Sequence, residues 1–392
     1  MMDVKERAKA NNGKVIEWRR HIHANPELGF ETVKTAAYVV EKLREMGVEK
    51  IREGVGKSGV VALIEGKKPG KVLGIRADMD ALNMEEQTNL PFAAKNRRMH
   101  ACGHDAHTAM LLGAAKLLMQ YRDELKGAVK LIFQPSEENG LGGPAMIEDG
   151  ALENPKVDGV VGLHTGNLWK GAQAGEIGYR FGPMMAATDW FTVTFHGKGG
   201  HGATPHLTVD PISIACQVQT ALQTIVSRET NPLGSAIVSV CMIQGGTADN
   251  IIAPSCVIRG TLRTLTPESR KYVQERFARI CEDVARAMRG SAEVSIREAP
   301  PALINDRGMT EKLIKAASEI VGADHVHEVY EPSMGGEDMA FFMEEAPGTF
   351  FFHPATFGDE RDYPHHHPKF DLNEDVFWTG PATFVQFALT WQ

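Results

Sequence analysis

Cysteine is scarce in this chain of 392 residues: there are five, an odd number and widely scattered, so no disulfide framework is expected to hold the fold. That usage fits a reducing cytoplasm. Long apolar runs are missing too. No stretch of eighteen apolar residues occurs, so no transmembrane helix is expected. Basic residues do not dominate either: 42 Lys and Arg face 50 Asp and Glu, and the net charge of −8 argues against nonspecific binding to nucleic acid or anionic membranes. Residues 1–7 are charged and lack the apolar core of a secretory signal, so none is expected. Internal repeats and low-complexity segments are absent. What is present is 43% hydrophobic and 23% charged residues, the make-up of a soluble globular protein, in a length that suggests two or three domains.

The chain is organised around Met99-His100-Ala101-Cys102-Gly103-His104-Asp105-Ala106-His107, which packs three imidazoles, one thiol and one carboxylate together. Gly103 lets the backbone turn sharply, so Cys102 and His104 can converge on one point. Thiolate and imidazole are donors that zinc-like ions favour. Residues 108–118 then read as a buried helix. Strands are expected at 59–64, 72–77, 127–134 and 159–163. The second ends in Asp78-Met79-Asp80, the third runs into Glu137-Glu138, and the fourth delivers His164. With Cys102/His104 these make four strand-to-loop junctions presenting metal-type donors. Open α/β sheets gather ligands beyond the C-terminal ends of their strands. One such junction would mean little; their repetition is the signal.

Adjacent carboxylates on an irregular loop point in different directions. One of Glu137 and Glu138 can take a metal while the other stands beside a metal-bound water as a general base. The triple His365-His366-His367 lies inside the chain before Pro-Lys-Phe-Asp, unlike a cloning tag. Helices are expected at 4–22, 32–46, 310–321 and 373–391, and a strand at 349–353.

From about 187 the texture changes. Strand 189–197, helix 211–227, strands 236–243 and 256–263, helix 269–288 and strand 292–297 follow the ferredoxin-like order. An inserted α+β domain is therefore expected at 187–297, dividing a catalytic domain into 1–186 and 298–392. Within the insert, a glycine-rich loop carries His201; no Gly-Lys-Ser/Thr precedes a helix there, so it is not a phosphate loop. Asn250 and Arg263 suit an amide oxygen or a carboxylate. Cys216, Cys241, Cys256 and Cys281 are expected as buried small hydrophobes.

These pieces resemble the M20 family of metallopeptidases, and within it the amidohydrolase subgroup of hippurate hydrolases, N-acyl-amino-acid hydrolases and plant auxin-conjugate hydrolases. The likeness is carried by His21-Ile22-His23-Ala24-Asn25-Pro26-Glu27-Leu28, Arg76-Ala77-Asp78-Met79-Asp80-Ala81-Leu82, the stretch from His100 to His107, Gln134-Pro135-Ser136-Glu137-Glu138, Gly162-Leu163-His164 and the Gly-Gly-His-Gly-Ala-Thr-Pro-His loop at 199–206. It runs over nearly the whole chain.

The resemblance implies an α/β fold: a zinc-peptidase-like catalytic domain with a mixed sheet flanked by helices, plus the inserted ferredoxin-like domain as lid and dimerisation element. It implies two divalent metal ions per subunit, Mn²⁺ or Zn²⁺ with Co²⁺ or Ni²⁺ also admitted. Their ligands would be Cys102, His104, Glu138, His164 and His366; the family's His-x-Pro pattern selects His366 and leaves His365 and His367 as bystanders. Most other M20 enzymes carry histidine where Asp78 stands, so their ligand geometry does not transfer there. Glu137 would be the base, Asp80 would orient a ligand, and His201 would reach a partner subunit's site and stabilise the oxyanion. Asn250 and Arg263 would hold the substrate's carboxylate. The implied activity is hydrolysis of the amide bond of N-acyl amino acids, hippurate-like or N-acetyl-amino-acid-like. In it Glu137 takes the proton of a metal-activated water and passes one to the departing amine. The implied setting is a cytoplasmic homodimer or higher homo-oligomer with no nucleic-acid or membrane partner. A dipeptidase or N-acetyl-diaminopimelate deacetylase is the competing enzyme reading. An inactive metal-binding regulatory protein is the non-enzyme one, against which stands the presence of every expected ligand and the base.

Overall fold

The structure, a computed structural model, describes residues 3–167 and 169–392; Met1 and Met2 of the charged N-terminal stretch lie outside the described residues. It divides into two compact units. The first comprises Met1–Met184, Ile304–Pro332 and Asp338–Gln392, the second Met185–Leu303 and Ser333–Glu337. The second unit thus takes in a stretch that the sequence grouped with the C-terminal part of the catalytic domain. The reason is local: Ala186 N–H donates to the carbonyls of Ser333 and Gly335, both at 3.0 Å.

The first unit is built on an eight-stranded mixed sheet. Its strand order is Lys50–Val55, Gly59–Glu65, Lys126–Gln134, Lys68–Asp78, Gly159–Gly166, Gly348–Pro354, Ile177–Tyr179, Val326–Glu328. The four strands Lys126–Gln134, Lys68–Asp78, Gly159–Gly166 and Gly348–Pro354 run parallel to one another. They read as continuous apolar runs because both faces are covered. Leu73, Ile75, Val129, Leu131, Phe133, Val161, Leu163 and Phe351 join one core cluster with helices Val4–His23, His104–Gln120 and Thr379–Thr390. The alternate residues Ile132, Val160 and Phe350 are equally buried on the opposite face, where Met146 and Phe342 also have no exposed surface.

The sequence reading missed Lys50–Val55, an edge strand with a mostly exposed burial pattern and a weak apolar signal. It also started the central helix late. That helix begins at His104. Gly103, at φ +90°, supplies the left-handed turn that launches it. Cys102/His104 is therefore a loop-to-helix junction and not a strand end, and His104 and His107 share one helical face. The strand Gly159–Gly166 likewise carries His164 within it. The closing helix is shorter than the pattern suggested, Thr379–Thr390, with a 3₁₀ turn Glu374–Val376 before it.

The second unit has a four-stranded antiparallel sheet ordered Ala236–Gly245, Ser255–Thr264, Ala187–His196, Ser291–Glu298. With helices Pro211–Thr224 and Pro267–Ala287 this is the ferredoxin-like arrangement. Its core gathers Phe191, Val193, Phe195, Ile214, Val218, Leu222, Ile258, Leu262 and Phe277. Two cysteines depart from expectation. Cys256 and Cys281 are buried, but Cys216 and Cys241 are exposed. Cys241 falls at the register shift between Val240 and Met242 on the edge strand, which breaks the inward alternation. No helix among the described residues is long and apolar enough to cross a membrane.

Candidate metal centre

Three neighbouring parallel strands deliver their donors at one end of the sheet. Lys68–Asp78 leads to Asp80, Lys126–Gln134 leads through Ser136, at φ +62°, to Glu137 and Glu138, and Gly159–Gly166 holds His164. This is where a parallel α/β sheet collects ligands. The helix start adds Cys102 and His104, and the loop around residue 366 adds His366, whose N–H donates to Ala101 O at 2.8 Å.

Donor atoms of Cys102, His104 and His164 lie within 4.8 Å of one another, and so do those of Cys102, Glu138 and His366. Cys102 belongs to both groups, so its sulfur stands between two places for a cation. The imidazole–carboxylate separations suit ions better than hydrogen bonds, and the Cys102–His164 pair, within hydrogen-bonding reach for sulfur, suits either. Cys102 Sγ is 3.4 Å from His164 Nε2, and His366 Nε2 is 3.5 Å from Glu138 Oε2. His104 Nε2 is 3.8 Å from Glu137 Oε2 and 4.0 Å from Glu138 Oε1. Two donors bound tetrahedrally at the usual bond lengths stand about 3.3–3.8 Å apart. Among the described residues His104 Nε2 and Glu138 Oε1 are buried with no hydrogen-bond partner, a costly state that a bound cation would relieve. The donor set therefore fits metal.

The imidazoles are oriented for ligation through Nε2. His104 Nδ1 donates to Asp80 O at 2.9 Å, and His164 Nδ1 donates to Thr165 O at 3.0 Å. Each bond fixes the tautomer and leaves Nε2 facing the thiol and carboxylates. Asp80 does a second task. Its carboxylate accepts the N–H of Glu137 at 2.9 Å and of Glu138 at 3.3 Å, which pins the Glu-Glu turn against His104.

The electrostatics are those of anions crowded out of water. Burial lifts the Glu138 carboxyl to about 7, with Asp80 and Asp78 adding repulsion. Burial also pushes the Cys102 thiol well up, reinforced by Glu138. His164 is pushed well below its usual range by burial and by neighbouring His107, His365 and His104, so it is neutral at pH 7. Burial and His104 lower His366 as well. Against burial, Asp78 and Cys102 hold His104 well above its usual range; metal binds the neutral imidazole, so a cation would displace that proton and reverse the penalty on the thiol and carboxylate.

Asp78, counted among the junction donors from sequence, is otherwise engaged. Its Oδ1 accepts from His107 Nδ1 at 2.6 Å and its Oδ2 from Arg76 at 2.8 Å. The flanking histidines, expected as bystanders to ligation, stand in no candidate metal group among the described residues and have other contacts. His365 Nε2 donates to Thr165 O at 3.0 Å, and its ring meets His164 edge-on at 5.0 Å. It lies so close to Gly166 that a Cβ there would fall 2.2 Å from the ring. His367 stacks on Tyr363 with centroids 4.5 Å apart. Sequence reasoning also missed Arg19, fully buried and bonded to Asp105 at 2.7 Å, to Asp371 at 3.2 Å and to Glu374 at 3.1 Å. Asp105 in turn holds His23 Nδ1 at 2.7 Å, which ties the His21–Leu28 motif to the residue after His104. A buried arginine among three acidic residues is visible in sequence only as four unconnected letters.

In the second unit His201 and Asn250 sit on adjoining loops: His201 pairs with Ile251, and Gly202 N–H donates to Asn250 O at 2.8 Å. Both residues are exposed. His201 Nδ1 accepts Ala203 N–H at 3.0 Å, which leaves Nε2–H to donate. Arg263 lies apart, on the central sheet, paired with Ile237 and Thr188.

Residues 74–390 match the family model described as Peptidase family M20/M25/M40. The chain is 44% identical over 361 residues to an N-acetyl-L-cysteine deacetylase of Bacillus subtilis, covering 92% of this chain and 84% of that protein. It is 41% identical to thermostable carboxypeptidase 1 of Saccharolobus solfataricus, covering 99% of each. Among solved structures, the Bacillus subtilis YXEP protein, described as a dinuclear metal-binding peptidase from the M20 family, superposes with a TM-score of 0.84 at 36% identity over 97% of this chain and 98% of that one.

Proposed function

The chain belongs to peptidase family M20/M25/M40 and is a metal-dependent amidohydrolase; from that premise we propose that it hydrolyses the amide bond of N-acyl amino acids. One observation carries the proposal: a thiol shared between two groups of donors, with Glu137 Oε2 at 3.8 Å from one of the ligating nitrogens. We take Cys102, His104, Glu138, His164 and His366 as the ligands of two divalent cations. Such cations supply Lewis acidity, acidifying a water and polarising the acyl carbonyl. A thiolate favours zinc, cobalt or nickel, whereas imidazole and carboxylate admit manganese.

Glu137 takes the proton of the attacking water and later returns it to the departing amine. Asp80 keeps Glu137 in place by accepting its backbone N–H. His201 donates from Nε2 to the oxyanion; in this reading the inserted unit forms a homodimer and each His201 serves the partner subunit's site. Asn250 and Arg263 hold the substrate carboxylate. All five thiols are free, in keeping with a reducing cytoplasm.

The deacetylase relative favours an acyl amino acid and the carboxypeptidase relative a peptide. A panel of N-acetyl and N-benzoyl amino acids set against dipeptides, with Mn²⁺, Co²⁺ or Zn²⁺ added, separates them. Cleavage of the acyl amino acids is expected. Turnover of dipeptides alone would move the assignment to a dipeptidase, and no turnover of any substrate would leave a metal-binding regulatory protein.

A further inference from the structure

We infer that His107, held by Asp78, is a positioning residue that fixes the metal-binding imidazole of His164 through the backbone of Thr165, and is not itself a ligand. The inference rests on the ligand reading given above. By proximity alone Asp78, His104 and His107 could hold a cation, since their donor atoms lie within 4.8 Å. The hydrogen bonds decide otherwise. Thr165 N–H donates to His107 Nε2 at 2.8 Å, which occupies that lone pair. The ring proton must then sit on Nδ1, where Asp78 Oδ1 accepts it at 2.6 Å. Neither nitrogen is left for a metal. Asp78 is locked in turn by Arg76 at 2.8 Å, and Arg76 by Asp338 at 2.7 Å.

The other end of this chain of bonds is the ligand. Thr165 follows His164, and its carbonyl accepts both His164 Nδ1–H and His365 Nε2–H at 3.0 Å. Its hydroxyl meets His353 Nδ1 at 2.9 Å. Residue 165 is thus gripped at N–H, carbonyl and side chain. With that peptide fixed, the His164 ring has one orientation, and its Nε2 stays 3.4 Å from Cys102 Sγ. Partners that orient ligands in this way are typically worth about 10–100-fold in metal affinity.

Two substitutions separate the roles. A glutamine amide reaches the place of Nε2 and can accept Thr165 N–H. An asparagine amide reaches only the place of Nδ1, so it keeps Asp78 and loses Thr165. Wild-type protein, His107→Gln and His107→Asn are titrated with Co²⁺ against a competing chelator, followed by the thiolate-to-cobalt absorption. Wild type is expected to take two equivalents, His107→Gln to stay within about 3-fold of it, and His107→Asn to bind one equivalent about 10–100-fold more weakly. Equal loss in both variants, or loss in neither, overturns the inference while leaving the ligand set standing. Failure of wild type to take two equivalents overturns the ligand set and this inference with it. Should the asparagine variant not fold, imidazole ¹⁵N shifts of the wild type decide. On adding Zn²⁺ the His164 Nε2 resonance should move and that of His107 should not; a matching shift at His107 would make it a ligand and end the proposal.

Discussion

The two units place their candidate functional residues in opposite ways. The first buries them: Asp78, Asp80, His104, Asp105, His107 and Arg19 are each at most 1% exposed and bonded to one another around the sheet's C-terminal end. The second leaves its candidates, His201 and Asn250, on exposed loops. On the proposed roles, the difference follows from what each set must do. Metal donors have to be held at fixed separations by the groups packed around them, because a cation tolerates little misplacement; His366, its side chain 55% exposed, is the one proposed donor that reaches the centre from the surface. A hydrogen-bond donor to a substrate can wait in solvent, provided its scaffold is stiff.

The contrast can be broken from its strongest point down. Glu137→Gln should retain metal yet lower kcat by about 10²–10⁴-fold or more, since proton transfer is removed and binding is not; normal turnover with full metal content would move the base elsewhere. Arg19→Met leaves Asp105, Asp371 and Glu374 without their buried cation and should cost about 3–5 kcal/mol, read from denaturant unfolding. His201→Ala should lower kcat by about 10²–10³-fold with metal content and thermal midpoint unchanged; a shifted midpoint would make it a structural residue.

Next comes acid. His353 is fully buried, and burial lowers it to about 4 from 6.5. Between those values the unfolded chain holds the proton and the folded chain does not, so stability falls as pH drops from about 6.5 to about 4. The loss should be on the order of 3 kcal/mol from this group, and His353→Gln should flatten that part of the stability profile. The smallest effect belongs to the second unit. Arg276–Glu229 joins side chains 32% and 21% exposed, and Arg276→Met should change stability by about 0–1 kcal/mol. A loss there as large as that of Arg19 would erase the contrast.

Much of this was legible in the letters. The ferredoxin-like order of the insert showed in alternating strands and amphipathic helices, because each has one face to bury. The Cys102-Gly103-His104 turn and the Glu137-Glu138 pair stood out because metal-type donors recurred where apolar strands ended, whereas adjacent glutamates alone also occur at Glu85-Glu86 and Glu344-Glu345. Harder to see were features whose local signal is weak. The edge strand Lys50–Val55 buries almost nothing. The helix start at His104 hid behind a run of polar residues, and with it the shared face of His104 and His107.

The sequence by itself determined the chemistry on offer: which donors exist, that they follow apolar strands, and that a second α+β module interrupts them. Its reach ended at pairing. That Asp78 faces His107 and Arg76, that Thr165 answers to four histidines, and that one sulfur is shared between two donor groups depend on side chains brought together from residues 76 to 366. Such contacts obey no period along the chain. They exist only once the parallel strands lie side by side and bring their ends to one place.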